Sequence, residues 1–389
     1  MTVFNADLLP VKQLELNYGV GALFANETHL ITLKILPSPD HNVYQAILIP
    51  LDDLAPATPG EPVDPAGLAY QPHSVDLADD GTALITARFA SSIFTWDPIT
   101  QTYGDTVPLR GIPRTTAFSP QANTEYLLYN SGLITKVDFN AAQPQEALFS
   151  KVLGQPGPIA TAGKYLVVTA YDQPGYPNRS SLSTLSPERQ VINTIANVEF
   201  SSAVWSDANQ KLYMIGSQFE SLEINANGTA CPGEPPGGIG DTFNNSNVEG
   251  VKAPMRLSGD ESKIAMASGA IVDALTLANT GWLGKSYVDA AWLGDHIYTA
   301  RPISAGTQLE HWLPGTYPLD DVAQAPGAPI ALEAVAPDRL LAVTREAGGV
   351  PLLQVLDSEL HVVPRLGNSA PLLDPAVSHA WPVVAEDHD

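Results

Sequence analysis

Residues 71–109 read QPHSVDLADDGTALITARFASSIFTWDPITQTYGDTVPL, and this stretch decides the fold because short β-rich runs alternate in it with turn residues. The turn Asp79-Asp80-Gly81 is a strong hairpin signal, since glycine accepts the positive φ that a tight turn requires. The stretch predicts four consecutive antiparallel strands, at His73–Leu77, Ala83–Arg88, Ser92–Trp96 and Thr106–Leu109. One such meander cannot bury both of its faces, so it requires neighbours like itself.

Similar units recur along the chain. A polar turn followed by an apolar run and then a second apolar run is repeated with about 45 residues per unit. The eight turns are Asn26-Glu27, Asp80-Gly81, Ala122-Asn123, Ala162-Gly163, Ala208-Asn209, Asp260-Glu261, Gly294-Asp295 and Pro337-Asp338. Four strands in about 45 residues is the size of a propeller blade.

On these repeats the chain resembles the β-propeller superfamily, of WD40 or YVTN-like type, from about Gly19 to Leu366. The resemblance implies an all-β propeller of four-stranded antiparallel blades, with eight units counted and seven as the alternative if one unit is an insertion. No narrower family motif is matched, because the chain has a single Trp-Asp pair, Trp96-Asp97. A β-sandwich with the same strand spacing is the alternative fold, but it would need two or three domains and no linker divides the chain.

We therefore expect one propeller domain over residues 1–389. Residues 1–18 would supply a closing strand, 19–366 the blades and 367–389 a C-terminal tail. Within the first segment, Val11–Asn17 is expected to pair with blade material from the C-terminal end, because a propeller must join its first and last blades.

Composition and charge limit the classes of partner. The chain has 389 residues, of which 16% are charged, with 30 Gly and 34 Pro, as suits a turn-rich all-β protein. No run of 18 apolar residues exists, so membrane insertion is not expected. The net charge of −23 repels phosphates, which argues against nucleic acid as a partner.

Two sequence features bear on localisation. Cys231 is the sole cysteine, so an intrachain disulfide is excluded. The N-terminal sequence MTVFNADLLPVKQLEL has no basic region followed by an apolar core, so no signal peptide is expected and the prediction is synthesis in the cytoplasm. Export by another route, or release inside a particle such as a virion, stays open.

Longer connections are expected at one end of the propeller. In an up-and-down blade, the connections between strands two and three and between consecutive blades share one face, which we call the loop face. The longer connections fall in that class, at 36–42, 55–69, 172–179, 231–250 and 302–307. Long loops on a rigid scaffold are often functional, so the loop face is the predicted recognition surface, with neutral drift as the alternative.

Candidate partner-binding residues lie in those connections, where aromatic side chains stand beside Asn, Gly and Arg. They are Tyr171, Tyr176, Asn178, Arg179, Phe243, Asn244 and Asn245. Exposed aromatics in such company suit recognition of a protein or a glycan. The alternative is that they fold back over the mouth of the propeller.

No catalytic motif is present. The sequence lacks a zinc-hydrolase motif, a nucleophile elbow and a phosphate-binding loop, so no catalytic residue is predicted. Gly237-Gly238-Ile239-Gly240 is interpreted as a flexible loop. No cofactor is expected. Calcium is the alternative, held by Asp76, Asp79, Asp80 and Asp97 or by Asp320 and Asp321.

These observations favour a non-enzymatic interaction or structural protein that recognises a protein partner in a larger assembly, such as a phage virion or tail. Two alternatives remain: a propeller hydrolase or lactonase with an axial metal ion, and a carbohydrate-binding, lectin-like propeller.

Overall fold

The structure, a computed structural model, describes residues 63–365 except 89, 153–154, 172–179, 217, 227–237 and 247–250, together with five strands within residues 2–50. For those five strands and for residues 88 and 238–246 it describes the backbone alone. All structural statements below refer to these residues.

Most of the described chain forms seven consecutive antiparallel sheets, which we number blades 1 to 7. Blades 1 to 4 consist of β6 (Gln71–Leu77), β7 (Ala83–Arg88), β8 (Ser92–Asp97) and β9 (Thr102–Pro108); β10 (Thr115–Ser119), β11 (Thr124–Leu128), β12 (Leu133–Asp138) and β13 (Glu146–Lys151); β14 (Gln155–Ala162), β15 (Tyr165–Tyr171), β16 (Ser180–Leu185) and β17 (Val191–Ala196); and β18 (Ser202–Ser206), β19 (Lys211–Ile215), β20 (Phe219–Asn225) and β21 (Gly238–Ser246).

Blades 5 to 7 consist of β22 (Met255–Leu257), β23 (Lys263–Met266), β24 (Ala270–Asp273) and β25 (Asn279–Trp282); β26 (Asp289–Leu293), β27 (His296–Ile303), β28 (Gly306–Trp312) and β29 (Leu319–Ala325); and β30 (Ala328–Ala336), β31 (Arg339–Arg345) and β32 (Pro351–Asp357). Among the described residues blade 7 therefore has three strands, and an isolated bridge between Leu356 and Val362 follows the third. A short 3-10 turn, Pro120–Ala122, joins β10 to β11.

The quoted stretch forms blade 1 largely as the sequence predicts. Ala78 N donates to Thr82 O at 2.9 Å and Gly81 has a φ of 84°, which glycine adopts without strain. The fourth strand differs, because it begins at Thr102 rather than Thr106. Thr102 pairs with Asp97, so the polar residues that read as a turn already belong to the ladder of an outer, half-exposed strand.

The alternation of side chains along the second strands builds the core. In β7, Leu84 points into a hydrophobic layer shared with blade 2, whereas its neighbour Ile85 points into a layer shared with blade 7. Seven such layers are present, one between each pair of adjacent blades. The first strands of successive blades contact one another all the way from β10 to β30 and back to β6, so these strands are innermost.

The ring therefore closes between blade 7 and blade 1 with seven blades. The count of eight units is wrong and the stated alternative of seven is confirmed. The extra unit, marked by Asn26-Glu27, is a separate three-stranded sheet of β3 (Val20–Ala25), β4 (His29–Leu36) and β5 (Val43–Pro50). Its local strand pattern is that of a blade. The repeat in the sequence therefore predicts the strands but does not show which sheets belong to the ring.

The expected closing strand takes a different partner among the described residues. Val11–Gln13 belong to β2 (Pro10–Gln13), which pairs with β1 (Thr2–Phe4) in a two-stranded sheet. The nearby N-terminal residues can reach this partner through a short connection, which costs less chain entropy than a pairing across the whole sequence. Residues 14–17 lie outside the described part of the chain.

Two of the predicted long connections differ in the structure. Strand β21 divides the stretch 231–250 and is the fourth strand of blade 4, so this stretch is not one loop between blades, and residues 227–237 and 247–250 on either side of β21 lie outside those described. The expected insertion at 302–307 is a tight hairpin instead, with Ile303 paired to Gly306. Connection 172–179 comes between β15 and β16, so its assignment to the loop face stays a prediction. Its residues, and residues 37–42 and 51–62, lie outside those described.

Candidate functional site

One predicted loop-face residue is described with its side chain. Tyr171 ends β15 at the loop face and is half-buried. Tyr176, Asn178 and Arg179 lie outside the described residues. Phe243, Asn244 and Asn245 lie in β21, paired with Leu222, Ser221 and Glu220, so the prediction of a loop at these three positions is wrong. The glycine-rich segment was likewise interpreted as a loop, but Gly238, Ile239 and Gly240 begin the same strand.

Tyr171 has charged neighbours from the flanking blades. Its hydroxyl donates to the Glu199 carboxylate, and Arg114 lies near enough to act on the same hydroxyl. Burial and then the Glu199 charge raise the pKa of Tyr171, while Arg114 opposes them. Glu199 and Arg114 lie in the connections that lead into blades 4 and 2, so three blades contribute to one patch of the loop face.

The same connection before blade 2 exposes an aliphatic side chain. Ile112 is 41% exposed, two residues before the exposed Arg114. We call Ile112, Arg114, Tyr171 and Glu199 the Tyr171 patch. Tyrosine and arginine are residue types enriched among those that carry most of the binding energy in protein interfaces.

A second cluster joins the inner strands by ion pairs. Arg256 on β22 makes a two-pronged contact with Asp289 on β26, with Nε–Oδ1 and Nη2–Oδ2 distances of 2.8 and 2.7 Å. Its Nη2 also donates to Glu333 Oε1 on β30 at 2.5 Å. One arginine thus links blades 5, 6 and 7 through side chains that face one another near the axis.

Asp289 is the best-satisfied member of this cluster. Besides the two arginine contacts, Oδ1 accepts from Ala290 N and Oδ2 from Leu332 N, both at 2.9 Å. All four acceptor positions of the carboxylate are occupied, and its side chain is only 4% exposed. The pair is therefore geometrically fixed, as a buried ion pair must be to offset its loss of hydration.

Two further carboxyl groups extend the cluster to blades 1 and 2. Asp76 on β6 interacts with Arg256 and accepts from Ser74. Glu125 on β11 is fully buried next to Asp76. Both oxygens of Glu125 are buried, and the polar side chain beside them is Thr116, whose hydroxyl donates to Ser74 at 2.9 Å. We call Asp76, Glu125, Arg256, Asp289 and Glu333 the axial cluster.

Burial and the neighbouring charges shift the pKa values of the side chains in the axial cluster. Burial raises the pKa of Asp76 to about 6 and that of Glu333 to about 8, although Arg256 lowers both. Burial and the nearby Asp76 charge hold the pKa of Glu125 well above its usual range. Burial also works against the Arg256 charge, but Asp289 and Glu333 outweigh it and keep the pKa of Arg256 above its ordinary value.

Sequence reasoning missed the axial cluster apart from Asp76. A signal was available, because Glu125, Arg256 and Glu333 interrupt otherwise apolar strands, as in APIALEAVA at 328–336. The partners, however, come from different blades, and Arg256 and Glu333 are 77 residues apart. The sequence shows that these charges are unusual without showing that they meet.

The predicted calcium ligands have other contacts. Asp80 accepts from Thr82 N at 2.9 Å and Asp97 from Ile99 N at 2.7 Å, as turn-forming aspartates do. Asp320 contacts a histidine ring, and Asp321 accepts from Val322 N at 2.7 Å. Within the described part of the chain, no group of three or more His, Cys, Asp or Glu side chains is placed to hold a metal ion.

The described residues also include no helix that is both long and apolar enough to span a bilayer.

No protein-family model matches the sequence, and no curated protein matches it significantly. Solved structures do match. The hydrazine synthase of Kuenenia stuttgartiensis is similar with a TM-score of 0.54 at 14% identity, over 75% of this chain and 96% of that one. The WD40 repeats of RRP9 give a TM-score of 0.53 at 14% identity, over 73% and 91%. A chain of the mitotic checkpoint complex gives 0.54 at 10% identity, over 78% and 96%.

These similarities and the seven blades define the class: the chain is a seven-bladed β-propeller with the architecture of WD40 domains. At 10–14% identity the similarity establishes the fold alone. Some of the similar chains belong to protein assemblies, as the mitotic checkpoint complex shows by its name.

Proposed function

We propose that this protein is a non-enzymatic interaction propeller that recognises a protein partner through its loop face. The Tyr171 patch carries the proposal. It brings together the Tyr171 ring at the end of a blade 3 strand, the exposed Arg114 and the 41%-exposed Ile112 from the connection into blade 2, and Glu199 from the connection into blade 4. Propellers of the same architecture in solved assemblies support the class of function.

The patch suits a protein partner because it combines rigidity with mixed chemistry. Tyr171 is held in place by its hydrogen bond to Glu199, so little side-chain freedom is lost on binding. Ile112 offers apolar area, and Arg114 offers several donors for a carboxylate or carbonyl of the partner. The predicted residues Tyr176, Asn178 and Arg179 follow Tyr171 directly in the chain and remain part of the proposed surface.

A site-specific cross-link tests this proposal. A photoreactive phenylalanine analogue is placed at Tyr171 in the full chain, and irradiation in the native source is expected to yield a discrete protein adduct. The same analogue at Ile99, which is 70% exposed on the connection between β8 and β9 at the opposite face, is the matched control. Adducts from Ile99 with none from Tyr171 would contradict a loop-face partner.

Within this class we propose that the assembly is a phage virion or tail. The proposal rests on the composition, because the single cysteine, Cys231, allows no intrachain disulfide in a protein that would act outside cells. Mass spectrometry of purified particles tests it. Recovery of the chain in stoichiometric amounts supports the proposal, and its absence from particles while it is abundant in the producing cell overturns it.

A further inference from the structure

A cavity lies between blades 6 and 7 on the face opposite the loop face. Its volume is about 680 Å³, within the range of sites that bind small ligands or short peptide segments. Its wall is formed by the ends of β27, β28 and β29 and by the two turns of blade 7 that begin at Pro337 and Ser358. We call it the histidine groove, after His296, His311 and His361 in its lining.

Two of these histidines form a hydrogen-bonded chain with an aspartate. His311 Nδ1 is 3.2 Å from Asp320 Oδ2, and His311 Nε2 is 2.8 Å from His296 Nδ1. The two imidazole ring centres are 5.0 Å apart and the planes differ by 24°, so the rings meet edge to edge along the line that joins the two nitrogens. Tyr298, parallel to His311 at 4.6 Å, fixes the central ring.

The aspartate determines where the protons lie in this chain. Because His311 Nδ1 faces a carboxylate, this nitrogen carries a proton and donates a hydrogen bond to Asp320. When His311 is neutral, its Nε2 then has a lone pair and accepts from His296 Nδ1–H. A neutral His296 therefore presents an unprotonated Nε2, for which the described residues provide no hydrogen-bond partner. Burial and then His296 lower the pKa of His311, which favours this neutral arrangement.

The rest of the groove is also rich in acceptors. Asp320, Asp321, Asp338 and Glu359 line it, whereas no lysine or arginine does. Asp338 has a cationic neighbour in Arg339, at 2.8 Å, but its side chain is 65% exposed and open to a second partner. His361 lies 3.6 Å from both Asp357 and Glu359. The groove therefore combines several carboxylates and a histidine acceptor without an internal cation.

We infer that the histidine groove binds an arginine side chain presented by a basic segment of a protein partner. A guanidinium group has five N–H donors in a planar fork and no acceptor, which is the complement of a cavity lined by acceptors. The volume of about 680 Å³ leaves room for the neighbouring residues of a peptide. This is a second recognition surface on the other face, so it does not depend on the Tyr171 patch.

The test uses the full chain and two short peptides. Acetyl-Gly-Arg-Gly-amide is titrated at pH 7.5 while the histidine ring resonances are followed by NMR, and the His296 signal is assigned by His296→Gln. The neutral analogue with citrulline in place of arginine is the ligand control. The expected result is a saturable shift of the His296 and His311 signals with the arginine peptide only.

Two pairs of substitutions separate the groove from general attraction to an acidic protein. Asp338→Asn with Glu359→Gln, both in the groove, is expected to weaken binding at least about fivefold. Asp105→Asn with Glu188→Gln, two exposed acids outside the groove, removes the same charge and is expected to leave binding within about twofold. Equal losses in the two pairs, or shifts confined to histidines outside the groove, would overturn the inference.

The His296 acceptor provides a second readout. His296→Phe removes the Nε2 acceptor and is expected to weaken binding of the arginine peptide at pH 7.5. Unchanged affinity in His296→Phe would count against the role of its Nε2. Failure of these measurements leaves the loop-face cross-link at Tyr171 unaffected, so the two proposals can fail separately.

Discussion

Arg256 and Asp289 lie on the innermost strands of neighbouring blades and meet in a two-pronged ion pair of 2.7 and 2.8 Å. Asp289 also accepts from the backbone of Leu332, so the same carboxylate holds blade 7. The Arg256 side chain is 31% exposed and lies on one of the inner strands around the axis of the ring. We therefore expect this ion pair to contribute to the stability of the seven-bladed ring.

Removing the arginine is therefore expected to be costly. Arg256→Met leaves Asp289 and Glu333 without their cation, and we expect a loss of about 2–4 kcal/mol in the free energy of unfolding, measured by urea titration. A fully buried pair would lose about 3–5 kcal/mol, and partial exposure reduces this. Arg339→Met removes an arginine from a pair with the exposed Asp338 and is expected to cost less than about 1 kcal/mol. Similar losses in both variants would show that the axial cluster adds no special stability.

The buried Glu125 makes stability depend on pH. Its pKa is raised on folding by burial and by Asp76, so the folded state holds its proton more tightly than the unfolded state. This contribution is complete below the unfolded pKa of about 4.5 and is lost as the pH rises toward the higher folded pKa. Glu125→Gln is expected to raise the melting temperature more at pH 8 than at pH 5.

A second glutamate provides the control for that measurement. Glu188 is exposed and its pKa is lowered, chiefly by its hydrogen bond to Ser186, so Glu188→Gln has the opposite sign and a small effect. Melting curves of both variants from pH 4.5 to pH 8 decide the matter. A Glu125→Gln protein with the wild-type pH profile would refute the assignment of this proton.

Gly281 is required by the packing between blades 5 and 6. A Cβ atom at this position would lie 2.5 Å from the ring of Tyr317, which is only 3% exposed and has no room to retreat. Gly281→Ala is therefore expected to destabilise the protein by about 1–3 kcal/mol in urea unfolding. Gly259→Ala, where a Cβ would meet nothing within 4 Å, is the matched control. A Gly281→Ala protein as stable as this control would mean that the Tyr317 side chain can move aside.

Calcium is expected to leave the melting temperature unchanged. The oxygens of Asp80 and Asp97 that would bind the ion already accept backbone hydrogen bonds that shape their turns. Burial raises the pKa of Asp97, but the hydrogen bonds from Thr100 and Ile99 together outweigh it and lower that pKa, as expected of a satisfied turn carboxylate. Thermal melts with millimolar calcium and with a chelator test this. A rise with calcium that the chelator reverses would contradict it.

Local patterns in the sequence predict the blades well. The alternation of Leu84 and Ile85 places each residue in a different hydrophobic layer, and alternation of this kind is visible in a single strand. The limits of β7 agree with the prediction at both ends. Outer strands are harder to predict from sequence. Strand β9 is half-exposed and β21 has a polar, glycine-containing sequence, so both resemble turns and loops.

Relations across long distances in the chain were not predictable in this way. The eighth unit has the local pattern of a blade, and its exclusion from the ring follows from the packing of blade 7 on blade 1. His296 and His311 look like isolated residues because the contact between them depends on the register of β27 against β28. Single-sequence patterns describe neighbours along a strand, whereas these sites depend on which strands become neighbours.

The circuit of seven hydrophobic layers leaves this protein without a terminal blade. In a linear repeat array the end units must carry a polar cap, whereas here each blade is sandwiched between two others. A substitution on an inner strand must therefore fit the packing of both neighbouring blades. Substitutions on outer strands and in connections have fewer packing neighbours. Sequence novelty can therefore accumulate at the rim and on the two faces, which are the surfaces that meet other molecules.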